Sequence, residues 1–115
     1  MKIVRIFTGD DEKSHIEITQ DEDLPLPERN GTRTERLGAV NTQFFTREEG
    51  PVGPFHTPRQ RQYIFYLTAQ VEIGLADGSS VMMEPGDVLQ AEDTTGHGHT
   101  SRVVKGGMCA LVGLA

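Results

Sequence analysis

The chain has one cysteine, no tryptophan, and only five phenylalanines and two tyrosines. A single thiol, Cys109, cannot form an internal disulfide and fits a reducing compartment. Its neighbours Met108, Ala110, Leu111 and Val112 make it read as a small buried hydrophobe and not as a nucleophile. Basic residues are scarce too: eleven Lys and Arg stand against seventeen Asp and Glu, a formal charge of −6. Phosphate binding needs clustered positive charge, so this balance argues against nucleic acid as a partner. Arg59 and Arg61 come nearest to a cluster, and Gln60 and Gln62 interrupt them. The shortage of aromatic rings removes a base-stacking platform. No apolar run is long enough to cross a bilayer, and the start Met-Lys-Ile-Val-Arg-Ile lacks the apolar core of a signal peptide. The expectation is a soluble, cytoplasmic protein with no membrane partner.

Helical periodicity is also missing. The apolar residues fall in short runs bounded by Gly, Pro, Asp and Asn, the pattern of an all-β domain. Strands are expected at 2–7, 14–19, 39–46, 60–68, 69–75, 80–84, 88–92, 99–104 and 108–114. Asp77-Gly78 between two such runs signals a hairpin. Residues 21–34, with Pro25, Pro27, Asn30 and Gly31 among charges, read as a surface loop over an edge or an opening. At 115 residues the whole chain, 1–115, is read as one domain, a sandwich or small barrel.

The most informative stretch is Pro85 to His99: a tight turn, a short apolar strand, a polar turn, then Gly-His-Gly-His. Side chains alternate along a strand, so His97 and His99 share a face if the segment is extended. His56 precedes another strand-like run, in which Gln60, Gln62, Ile64 and Tyr66 share its face. Imidazoles carried by two strands toward one interior can build a metal or an acid–base site. Of the two histidines in the turn, His99 is expected in the pocket. His97, flanked by glycines, is expected to be exposed and mobile. Asp93-Thr94-Thr95 reads as a set of side-chain-to-backbone turn caps, and Asp10-Asp11-Glu12 and Glu48-Glu49 as solvated turns.

These motifs resemble the cupins, a family of antiparallel jelly-roll barrels, in a small single-domain form with the barrel core near 39–105. The first cupin motif, G-x5-H-x-H-x3,4-E-x6-G, is matched at His56. Pro58 replaces its second histidine, Gln62 its glutamate and Ala69 its closing glycine. The second motif, G-x5-P-x-G-x2-H-x3-N, begins at Gly86. It meets His97 without a gap, or His99 if the turn is two residues longer; Glu92, Thr94 and Ser101 depart from it.

The resemblance implies a single antiparallel jelly-roll barrel that binds a small polar or anionic metabolite. His56, Gln62, His97 and His99 are the donors available to a divalent metal (Fe, Mn, Ni or Zn), and His99 and His56 are the catalytic candidates. Three uses stand open: metal-dependent lyase, isomerase or dioxygenase chemistry; metal-free acid–base chemistry; and binding or sensing alone. A homodimer is expected, because Tyr63, Phe65 and Leu67 on one strand and Val71, Ile73 and Leu75 on the next are too apolar to be all solvent-facing.

Overall fold

Short runs of β-branched and aromatic residues, cut by Gly, Pro and Asp, cannot sustain a helix. In the computed structural model, which describes residues 1–115, they form strands: β1 Lys2–Thr8, β2 Ser14–Gln20, β3 Leu26–Glu28, β4 Gly31–Arg33, β5 Ala39–Arg47, β6 Gln62–Tyr66, β7 Gln70–Gly74, β8 Ser80–Met83, β9 Val88–Ala91, β10 Thr100–Lys105 and β11 Gly107–Leu114. One turn of 3-10 helix, Asp21–Asp23, is the only helical piece. None of the chain forms a helix long and apolar enough to cross a membrane.

Six strands make a mixed sheet in the order β2-β1-β9-β6-β11-β5, and β10-β7-β8 make a second, antiparallel sheet. The two share no ladder, so they stack as layers and do not close into a continuous barrel. Nor is the larger sheet wholly antiparallel: β1 runs parallel to β9, with Val4 beside Leu89 and Ile6 beside Ala91. Val4 and Ile6 are completely buried, and this inward-facing pair explains why the first strand inserts between β2 and β9.

Period-two alternation sorts the side chains. From the larger sheet Val4, Ile6, Tyr66, Leu89, Ala91 and Cys109 point inward; from the smaller, Val71, Ile73, Val81, Met83 and Val103 meet them in one core cluster. The Val71, Ile73, Leu75 set therefore fills the core, whereas Tyr63 and Phe65 lie on the other face of their strand. Gly78 takes φ +87° in the Asp77-Gly78 turn between β7 and β8.

The segment 21–34 is not a plain loop. Its β3 and β4 pair as a hairpin, with Asn30 at φ +58° where an amide side chain tolerates the left-handed region. Leu24 and Leu26 border a cleft that also touches Ile3, Arg5, Tyr63 and Gln90, so the hairpin covers part of the outer face of the large sheet. The strand expected from Gln60 begins at Gln62; between β5 and β6 the chain crosses the open end of the two layers, tied down by the Gly50 and Gly53 N–H groups, which donate to the Val103 and Ser101 carbonyls, and by a bridge from His56 to His99.

Candidate functional site

At that open end the two layers enclose a cavity of about 640 Å³. Alternate residues of β5 (Gln43, Phe45, Arg47) and of β6 (Gln62, Ile64, Tyr66) form one wall, and His99 and Ser101 the facing one. Residues 56–60 run along the rim, where Asn41 and Gln60 exchange amide hydrogen bonds of 3.3 and 3.1 Å. Ile73, Leu89, Ala91 and Leu111 supply an apolar floor.

His56 and His99 converge. Each backbone N–H donates to the other's carbonyl, at 3.0 and 2.9 Å, and the ring centroids lie 4.7 Å apart. His99 is only 5 % exposed, and its Nδ1 sits 2.6 Å from Oδ2 of Asp93, which is completely buried. Ser14 Oγ donates to the same oxygen at 2.6 Å. A carboxylate only accepts, so Nδ1 is the nitrogen that carries the proton, and in the neutral ring Nε2 is the one with the free lone pair. Nε2 has no protein partner and opens on the cavity. Asp93 Oδ1 has no partner either, so compensation of this buried charge depends on His99 and Ser14. The exposed His56 donates from Nδ1 to the Pro54 carbonyl at 3.1 Å, which leaves its Nε2 as the acceptor.

Of the four donors considered for a metal, His56, Gln62 and His99 line this cavity. His97 is exposed, lies outside the lining, and packs its ring on Phe55 with centroids 4.2 Å apart. Its backbone is fixed, because the His97 N–H donates to the Glu12 carbonyl at 2.8 Å. The flanking glycines serve geometry: Gly96 and Gly98 have φ of +74° and +78°, and a Cβ on either would collide with a carbonyl, of Glu12 and of His56 respectively. No three His, Cys, Asp or Glu side chains converge as ligands. Two imidazoles and a neutral amide are a poor donor set for a divalent cation, and Asp93, the nearest anion, is committed to His99 and Ser14. The residues do not fit a preformed metal centre.

Asp93 is not a turn cap, as its local sequence suggests, but the partner of His99. Ser14 and Arg47 also escape a reading of motifs. Arg47 reaches into the cavity and donates from Nη2 to Ser101 Oγ at 3.4 Å. The alternation of β5 places Gln43, Phe45 and Arg47 on one face, a signal that was available but lay outside any motif. Burial pushes the Tyr66 hydroxyl far up, with Arg47 pulling weakly the other way, so the phenol stays neutral. Burial likewise raises the Cys109 thiol, in keeping with an inert core residue.

No family model matches the chain, and no curated protein matches it. Among solved structures it is similar to protein NMB1881 from Neisseria meningitidis, with 19 % identity and a TM-score of 0.49 over 70 % of this chain and 83 % of that one.

Proposed function

We propose that this protein binds a small polar or anionic metabolite between its two sheets and moves a proton on it without a metal, as an isomerase- or epimerase-type catalyst. The observation that carries this reading is the buried Asp93–His99 contact, with His99 Nε2 open to the cavity. A carboxylate on Nδ1 fixes the ring and its tautomer and stabilises the imidazolium formed when Nε2 takes a proton. His56, whose ring lies beside that of His99, is placed to return or relay that proton. The cavity is half-open and lined by neutral amides and arginines, which suits a water-soluble ligand over a lipid.

The reading includes a cupin-type jelly roll as the finer description of the fold. Two facing sheets, a cavity at one open end and histidines from both motifs across its mouth support that description. A reducing, cytoplasmic setting suits the free Cys109. A homodimer belongs to the same proposal. Phe44, Ala110, Phe65, Val88 and Ile3 are successive register partners across β5, β11, β6, β9 and β1, an apolar row on the face opposite the core. Phe44, at the sheet edge, is 72 % exposed. A second copy of this face is its fitting occupant.

The deciding experiment is NMR in D2O with a panel of 2-oxo acids and reducing sugars, scored for exchange of the proton next to the carbonyl, with and without added Fe²⁺, Mn²⁺, Ni²⁺ or Zn²⁺. Exchange in the presence of chelator that disappears in His99→Gln supports the proposal. Exchange only after metal is added would replace it with metal-dependent chemistry, and absence of exchange across the panel would leave a binding protein.

A further inference from the structure

The chain carries seventeen acidic residues, yet none of the nineteen residues that line the cavity is Asp or Glu. The charged side chains among them are two arginines, Arg47 and Arg59. Outside the cavity Arg5 and Arg61 pair with Glu92, Arg33 with Glu28 and Arg102 with Glu72, and only the surface residues Arg29 and Arg36 go without. Neither Arg47 nor Arg59 has a carboxylate within 4 Å. A half-buried guanidinium with no counter-ion, on an apolar floor in a chain of net charge −6, calls for an anion from outside.

We infer that the cavity is built for a small organic carboxylate, held by Arg47 with the Ser101 hydroxyl beside it and drawn in by Arg59 at the rim. Arg47 presents a planar fork of N–H donors that matches a planar carboxylate in two parallel hydrogen bonds. Ser101 lies two residues beyond His99 on the same face, a separation of about 7 Å along an extended strand. A short-chain acid anchored at Arg47 therefore places the carbon next to its carboxylate, or the one after, beneath His99 Nε2. This inference rests on the cavity being the binding site proposed above and names the class of ligand it takes.

The test is calorimetric titration of the full chain at low salt with propionate, 2-oxobutyrate, inorganic phosphate and, as the neutral isostere, propionamide. The two carboxylates should bind, propionamide should not, and affinity should fall as NaCl is added. Arg47→Gln should weaken carboxylate binding about tenfold or more, whereas Arg102→Gln, outside the cavity, should leave it unchanged. Arg47→Lys keeps the charge but loses the fork; it should fall between the two and serves if Arg47→Gln does not fold. Propionamide binding as well as propionate, phosphate binding in preference to both acids, unchanged affinity in Arg47→Gln, or no binding of any anion at millimolar concentration would each overturn the inference. Carboxylate binding that depends on Arg47 without proton exchange would refute the acid–base proposal and leave this inference standing. Exchange on neutral substrates with no preference for anions would do the reverse.

Discussion

Gly98 lies so close beneath the carbonyl of His56 that no side chain fits between them, and its φ of +78° is one that L-residues resist. The bridge that brings the two imidazoles together therefore depends on a missing Cβ. Gly98→Ala should cost about 1–3 kcal/mol for the strained backbone alone, with the collision added. Urea unfolding measures it, with Gly31→Ala as the control, because a Cβ there meets nothing within 4 Å. An equal midpoint for the two variants would contradict the packing described here.

Asp93 should act through His99 and not on substrate directly. An amide in its place can donate to Nδ1 and so favour the wrong tautomer, and Asp93→Asn should lower proton exchange about 10²–10⁴-fold while carboxylate binding persists. Nitrogen-15 shifts of the His99 ring would report the tautomer independently of activity. In the same assay His99→Gln should abolish exchange, whereas His97→Lys should retain most of it because that ring rests on Phe55 outside the cavity. Equal losses from the two histidine variants would mean that the pair acts as one chelate.

Acid should destabilise the fold through two buried-side carboxylates. Burial raises the Asp87 carboxyl, but the Lys2 ammonium at 2.6 Å and the backbone N–H groups of Lys2 and Glu84 outweigh it and hold it below the usual range. Glu92 follows the same logic: burial is overcome by Arg5 and Arg61. A folded-state pKa below the unfolded one gives stability that is fully present above the unfolded carboxylate range, near pH 4. That contribution is lost as pH falls toward the lower, folded values. Asp87→Asn should flatten the acid limb of a stability–pH curve and cost roughly 1–3 kcal/mol at neutral pH. An acid limb that is unchanged in this variant would refute the assignment.

Light scattering at micromolar concentration should give the mass of a dimer. Phe44→Glu or Phe65→Glu puts a charge into the apolar row and should give a monomer with the cavity intact, as carboxylate binding would show. A monomeric mass for the unaltered chain would exclude the pairing.

What the sequence makes legible here is local. Period-two alternation puts Ile64 and Tyr66 on the inner side of β6, and the glycines flanking His97 mark it as the exposed histidine beside a buried His99, although its backbone is tied to Glu12. Which apolar set fills the core, that of β6 or that of Val71 and Ile73, the alternation leaves open. Asp93 is invisible to the same reasoning. A short polar residue in a turn has the same neighbours whether it caps the backbone or is completely buried against Ser14, which is 79 positions away. Arg47 is hidden for the same reason, since the hydroxyl it meets lies 54 positions on. The parallel β1–β9 pair leaves no local trace either, because strand direction is set by which neighbour a strand finds and not by its own side chains.

That parallel pair has a consequence for how the chain comes to be folded. Lys2 closes on Asp87 across a separation of 85 residues, and the buried Val4 and Ile6 have no lasting cover until β9 has been synthesised. During most of translation the first strand is an apolar ribbon with one edge unpaired, free to join whatever strand lies nearest. Contacts so distant in sequence slow the search for the native arrangement. Strand β1 thus leaves the ribosome long before its partner and is among the last elements to settle, so the nascent chain is most vulnerable there.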